Sequence, residues 1–244
     1  MSRVVLITGA SRGIGAAAAR MFAAGGDAVC VNYQHNADTA RTVVASIEAS
    51  GGKAIAVQAD VSQADDVEQL FSAVDEQLGA LDVLINNAGI SSPRARVEDL
   101  KLADLRAILD INVIGVVLCA QAAIRRMSTR HGGKGGAIVN LSSGSAYIGN
   151  PGDGVHYALS KGAVNSFTIG ASQELVAQGI RVNAVSPGLT RTDMPGDKLG
   201  EMGPKLPLGR PAEPEEVAEA IVWLASEGAR HVAGANIRVA GGRP

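Results

Sequence analysis

Tyr157 and Lys161 stand four residues apart in a stretch of helical spacing, about Val155 to Gln178, which puts a phenol and an ammonium on one helix face. A phenol of ordinary pKa, about 10, gives and takes its proton poorly at neutral pH. An ammonium beside it favours the phenolate and is expected to lower that pKa toward the working range. Ser143 follows the apolar run Ala137-Ile138-Val139-Asn140-Leu141 and Ser142, and its hydroxyl can hold a substrate oxygen while Tyr157 moves the proton. These side chains suit proton transfer at a carbonyl or an alcohol. No side chain carries a hydride, so that chemistry calls for a redox cofactor.

A place for one lies near the start of the chain. Val4 to Ile7 is an unbroken apolar run, Thr8-Gly9-Ala10-Ser11-Arg12-Gly13-Ile14-Gly15 follows, and Ala16 to Phe22 is rich in helix formers. Strand, glycine turn and helix leave unpaired N–H groups at the positive end of the helix dipole, where a phosphate fits. Taken alone, such a turn reads as well as a tight bend without a ligand.

The elements that must position these groups alternate along the chain. Strands are expected at Val4–Ile7, Ala28–Asn32, Ala54–Val57, Leu81–Ile85, Ala137–Leu141, Ile180–Val185 and Ile237–Val239, with helices between them. One long helical region runs roughly from Leu102 to Met127. This order predicts an α/β fold: a single-domain, doubly wound parallel sheet with helices on both faces. The loops after the strands then share one sheet edge. Asp60-Val61, Asn86 to Gly89, Ser142-Ser143 and Pro187-Gly188 all fall there, as does the glycine turn.

Bulk properties exclude several classes. Across 244 residues, 46% hydrophobic content with 3% aromatics describes a core of Ala, Val, Leu and Ile. A formal charge of −2 gives no electrostatic case for nucleic acid or an acidic membrane. Cys30 and Cys119 lack ligand spacing and read as small buried thiols, so no metal site is expected. Met1 leads straight into a strand without a charged-then-apolar leader, and no apolar stretch reads as long enough to span a membrane; a cytoplasmic location is the expectation.

Taken together, the motifs resemble the short-chain dehydrogenase/reductase family over essentially the whole chain. Thr8-Gly9-x-x-x-Gly13-x-Gly15 is similar to its cofactor turn, Asn86-Asn87-Ala88-Gly89 to its fourth-strand motif, and Asn112, Ser143, Tyr157 and Lys161 to its catalytic tetrad. The resemblance implies that Tyr157 is the general acid/base, that Lys161 holds the nicotinamide ribose and tunes Tyr157, that Ser143 orients the reacting oxygen, and that Asn112 holds a relay water. It implies cofactor contacts at Gly9, Ser11, Arg12, Gly13, Ile14, Gly15, Asn32, Tyr33, Asp60, Val61, Asn87, Ala88, Gly89, Pro187, Gly188, Thr190 and Thr192. Asn112 as a helix-kink residue and Asn87 as a turn stabiliser remain the alternatives. Ser142 reads as structural, and Tyr147 and His156 as partly buried side chains rather than pocket residues. The spacing from Ser143 to Tyr157 is one residue longer than in many members, with Gly152-Asp153-Gly154 able to absorb it.

An NAD-selecting member places a carboxylate after the second strand; here Asn32-Tyr33-Gln34 hold that place. Arg12 adds a forked donor suited to a 2′-phosphate. NADP(H) is therefore the expected cofactor, with NAD(H) second. Residues 194–208 should form a substrate lid with little regular helix, since Pro195, Gly196, Gly200, Gly203, Pro204 and Pro207 interrupt it. Arg94 and Arg96 could reach an anionic substrate, solvent exposure being the plainer reading. Similarity is strongest to 3-oxoacyl-carrier-protein reductases and sugar- or polyol-dehydrogenase-like members. The expected partner is a small carbonyl or alcohol, in a homotetramer packed through small residues such as Gly115, Ala120, Ala122, Ala163, Gly170 and Ala171. The competing class is a dinucleotide-binding sensor or scaffold without turnover.

Overall fold

Seven runs rich in Val, Ile, Leu and Ala become seven parallel strands, and their pairing order sets where the site lies. The computed structural model describes residues 2–91, 93–194 and 198–243. In chain order the elements are β1 (Val4–Ile7), α1 (Gly13–Ala24), β2 (Ala28–Tyr33), α2 (Ala37–Ala49), β3 (Lys53–Gln58), α3 (Ala64–Gln77), β4 (Val83–Asn86), α4 (Leu102–Leu109), α5 (Gly115–Met127), β5 (Gly136–Leu141), α6 (Ser145–Ile148), α7 (Val155–Leu175), β6 (Ile180–Pro187), α8 (Lys198–Met202), α9 (Pro214–Leu224) and β7 (Asn236–Val239). The sheet order is β3-β2-β1-β4-β5-β6-β7.

Strand side chains alternate between two cores. Val5 and Ile7 of β1 join Val29, Val31, Ile85 and Val139 under α1, α2 and α9. Leu6 turns the other way, with Cys30, Leu84 and Ile138, under α3 and α5. Both faces are covered, which is why these strands read as continuous apolar runs. Cys30 and Cys119 are buried free thiols, as their spacing suggested. Burial pushes the Cys119 thiol up to about 12 and Cys30 higher, so neither is an available thiolate.

After β3 the chain crosses back to place β4 on the far side of β1. The loops leaving β1 and β4 therefore part from each other, and a crevice opens at their carboxyl ends. Gly9 sits in this crevice with φ +61°, and a Cβ there would lie 2.8 Å from the Ala88 Cα, so only glycine lets the two loops approach.

Two expectations change. Leu102 to Met127 is helical throughout but includes a π-helical turn, Asp110–Ile114. This stretch does reach the length and hydropathy of a membrane span, contrary to the reading of the sequence; 44% of its most apolar window is buried within the fold. A helix laid on a parallel sheet needs a broad apolar face, and that raises its hydropathy. The small residues offered for subunit packing also divide: Gly115, Ala120 and Ala122 lie in the chain's own core, and only Ala163, Gly170 and Ala171 reach the surface. Gly115 is small because a Cβ there would meet Val61 Cγ2 at 2.9 Å.

Candidate active site

Above the crevice lies a cleft of about 590 Å³. The glycine turn contributes Gly9, Ser11, Arg12, Gly13 and Ile14; β2 and its exit contribute Asn32 and Tyr33; the loop after β3 contributes Asp60 and Val61. Asn87, Ala88 and Gly89 follow β4, and Pro187, Gly188, Thr190 and Thr192 follow β6. Gly15 is the exception among the expected cofactor contacts. It is buried, and a Cβ on it would stand 2.5 Å from Asn87 Nδ2 and 2.9 Å from the Ala10 Cα. Its part is to let α1 close on the β4 loop.

Several polar side chains of this cleft are engaged with the protein itself. Asn87 Nδ2 donates to the carbonyls of Thr8 (2.8 Å) and Gly9 (2.9 Å), which stabilises the turn. Asn32 is 2% exposed; its Oδ1 accepts from Gly9 N–H at 3.1 Å, and its Nδ2 donates to the carbonyl oxygen of Ala59 at 3.1 Å. It thus ties β1, β2 and β3 together beneath the cleft. Asp60 accepts from Gln34 Nε2 at 2.6 Å and from the Ser62 hydroxyl at 2.7 Å. Arg12 is exposed and ion-paired with Asp193 at 3.1 Å, across the mouth of the cleft.

The four expected catalytic residues come together from three elements. Ser143 lies two residues past the end of β5, while Tyr157 and Lys161 sit on successive turns of α7. Lys161 Nζ donates to the Leu141 carbonyl at 2.8 Å and lies 5.9 Å from the centre of the Tyr157 ring. Burial lowers its pKa from 10.5 to about 8. Tyr157 is hydrogen-bonded to Ser143, which lowers its pKa, but desolvation outweighs that bond and the phenol is raised above its ordinary value. This reverses the lowering expected from the sequence. Spacing shows that an ammonium is near; it does not show that the ammonium is buried and turned to a backbone carbonyl.

Asn112 lies in the π turn, fully buried. Its Oδ1 accepts from Ile90 N–H at 2.8 Å; its Nδ2 donates to the Ile90 carbonyl at 3.0 Å and to Ser160 Oγ at 3.1 Å. It therefore clamps the loop after β4 onto α7. Ser142 is structural as expected, donating to the Lys161 carbonyl at 3.1 Å.

A second cavity, of about 340 Å³, shares Ser91, Ser143, Tyr157, Pro187, Gly188 and Met194 with the cleft. Its remaining surface includes Ile148, Leu189 and Met202, with Arg94, Asp153 and Arg243. The expected lid lends Met194 and Met202; it contains the five-residue α8, and Pro195 and Gly196 lie outside the described residues. Tyr147 and His156 line neither cavity: Arg238 stacks over the half-exposed Tyr147 ring and His156 is buried. Among the described residues no cluster of His, Cys, Asp or Glu could hold a metal ion.

The model of a family described as "Enoyl-(Acyl carrier protein) reductase" matches residues 9–243. A short-chain dehydrogenase from Burkholderia cenocepacia, solved in complex with NADP, superposes with TM-score 0.90 at 36% identity, covering 99% of this chain and 97% of its own. The chain belongs to the short-chain dehydrogenase/reductase family. "Uncharacterized oxidoreductase YgfF" of Escherichia coli is 44% identical, over 98% of this chain and 99% of the relative. A 3-oxoacyl-[acyl-carrier-protein] reductase of Synechocystis is 42% identical, over 99% and 96%. As a short-chain dehydrogenase/reductase the chain is an oxidoreductase.

Residues that sequence reasoning passed over stand at the rims. His35 and Asn36 line the cleft beyond β2, and Arg243 and Ile148 line the smaller cavity. His35, Asn36 and Ile148 follow β2 and β5 closely, so the rule that loops after strands share one edge could have found them. Arg243 is brought in by a turn docked far along the chain.

Proposed function

We propose that the chain is an NADP(H)-dependent oxidoreductase that interconverts a carbonyl compound and a secondary alcohol, with Tyr157 as general acid/base. The observation that carries this reading is that Ser143 and Tyr157, hydrogen-bonded to each other, stand where a dinucleotide-sized cleft and a smaller pocket meet and line both.

The cleft fits the cofactor. A Cβ on Gly13 (φ +56°) would press on Thr192 at 3.2 Å, so the space over the α1 N-terminus exists only because glycine stands there. The unpaired N–H groups of that helix end, with Ser11 and Arg12, would hold the phosphates. Asp60 and Val61 would flank the adenine, and Asn87 to Gly89, Lys161, Thr190 and Thr192 the nicotinamide half. When bound, the dinucleotide supplies or accepts the hydride.

The chain's own residues do the rest. Ser143 orients the reacting oxygen toward Tyr157. Because burial raises the phenol's pKa, Tyr157 keeps its proton at neutral pH and is poised to give it to a developing alkoxide. Lys161 brings a positive charge behind the phenol, and Asn112 fixes the loop that forms the cleft's floor.

The cleft's adenosine end offers Tyr33, Gln34 and His35, with Asp60 already engaged by Gln34, and Arg12 is the cation nearest the turn. That arrangement favours a 2′-phosphate, and the NADP held by the Burkholderia relative supports the same preference. Homotetramer formation is part of the proposal, using the apolar side chains Leu159 and Ile169 exposed on α7. Fluorescence titration with NADPH and NADH, followed by turnover on diketones, β-ketoesters and quinones, tests it. Tighter binding of NADH overturns the cofactor preference, and NADPH binding without turnover of any of these favours the sensor or scaffold.

A further inference from the structure

The smaller cavity holds more positive charge than the reaction requires. Besides Tyr157, its ionisable lining among the described residues consists of Arg94, Asp153 and Arg243. Arg94 Nε lies 3.1 Å from Asp153 Oδ1, so those two charges cancel. Among the described residues no ion pair engages Arg243. Over the described residues a net charge of about one unit is left on a wall whose other side chains are apolar, hydroxyl-bearing or, at Asn150, an amide.

The backbone puts that guanidinium there. Gly241 and Gly242 both adopt left-handed φ, +58° and +86°, and Arg243 N–H donates back to the Ala240 carbonyl at 3.1 Å. The turn is seated on the segment after α8: Leu208 N–H donates to the Gly241 carbonyl at 3.1 Å. A Cβ on Gly241 would meet Leu208 Cβ at 3.1 Å, and one on Gly242 would meet Pro207 Cβ at 3.1 Å. Ala240 in turn packs against Gly188, 2.8 Å from where a Cβ would stand. Arg243 is therefore a half-buried side chain carried by a fixed turn.

We propose that the substrate carries a carboxylate and that Arg243 receives it, while Ile148, Leu189, Met194 and Met202 cover its apolar body. This inference rests on the carbonyl–alcohol reading above. One surplus guanidinium matches a monoanion by charge and by its forked geometry. A phosphate, carrying nearly two charges at neutral pH, would be left undercompensated. The cavity's size, about 340 Å³, suits a small oxo acid.

The test uses full-length enzyme with NADPH and three pairs of probes: 3-oxobutanoate, 4-oxopentanoate and 4-oxocyclohexanecarboxylate, each beside its methyl ester. Butane-2,3-dione serves as a neutral substrate. The expected result is a kcat/KM at least about tenfold higher for one or more acids than for the matching ester, carried by KM. In Arg243→Leu the acid-to-ester ratio should fall to about one, and Arg243→Lys should restore part of it. Asp153→Asn, which removes the opposing charge, should raise the ratio. Esters turned over as well as the acids, or a ratio unchanged in Arg243→Leu, overturn the proposal. Reduction of butane-2,3-dione but of none of the acids overturns it while leaving the carbonyl–alcohol reading intact. No reduction of any probe removes that reading and this inference with it.

Discussion

Lys161 Nζ is bonded to the Leu141 carbonyl oxygen at 2.8 Å, at the point where β5 gives way to Ser142 and Ser143. The lysine that backs the phenol is therefore also a brace between α7 and the sheet. Its charge is held at a cost, since burial lowers the pKa from 10.5 to about 8.

That cost predicts a trade between stability and activity. The unfolded chain binds the Lys161 proton up to about 10.5, and the folded chain releases it near 8, so this group destabilises most below pH 8 and its penalty fades as pH rises through 8 toward 10.5. The shift corresponds to roughly 3 kcal/mol at neutral pH, and losing the charged bond to Leu141 gives back about 2. Lys161→Met should be about 1 kcal/mol more stable than the parent in urea unfolding at pH 7. The difference should shrink by pH 10, and carbonyl reduction should fall. A variant less stable at pH 7 than the parent would contradict the stated cost.

Asn112 should behave as a clamp. Asn112→Leu leaves the Ile90 N–H and carbonyl without their partners at 2.8 and 3.0 Å. A loss of about 2–4 kcal/mol in unfolding free energy is expected, with weaker NADPH binding because the floor of the cleft loosens. Unchanged stability would mean that the loop holds itself.

In the proposed complex Asp193 would compete with the cofactor's phosphate for Arg12. Asp193→Asn frees Arg12 from its 3.1 Å partner, and should tighten NADPH by a few-fold at low salt but leave NADH nearly untouched. Arg12→Ala should weaken NADPH more than NADH, by about tenfold in their ratio. Equal effects on the two cofactors would show that Arg12 does not reach the 2′-phosphate.

Gly15→Ala should be destabilising despite alanine's better helix propensity, because the new Cβ would fall 2.5 Å from Asn87 Nδ2. A loss of about 1–3 kcal/mol is expected in thermal or urea unfolding. A gain in stability would show that the β4 loop moves aside freely.

How much of this was legible in the sequence depends on what each residue's neighbours are. The buried strands were, since faces covered on both sides demand runs such as Val4-Val5-Leu6-Ile7. Loops at strand ends were too, which brought Ser143, Tyr157, Lys161 and the glycine turn to one edge. What Gly15 packs against was not legible, because a motif records that glycine is needed, not which neighbour needs it. The sign of the Tyr157 shift was missed because spacing carries no information about desolvation. Arg243 was missed because its place depends on a turn docked onto Pro207 and Leu208. The hydropathy of Leu102–Met127 was underestimated because its charged residues gather at its ends, leaving an apolar middle.

The central claim is that the Tyr157 hydroxyl moves the proton. Tyr157→Phe removes that oxygen and keeps the ring. Steady-state reduction of butane-2,3-dione, or of the best acid found, with saturating NADPH should fall by at least about a hundredfold in kcat. A kcat within about threefold of the parent enzyme would contradict the account.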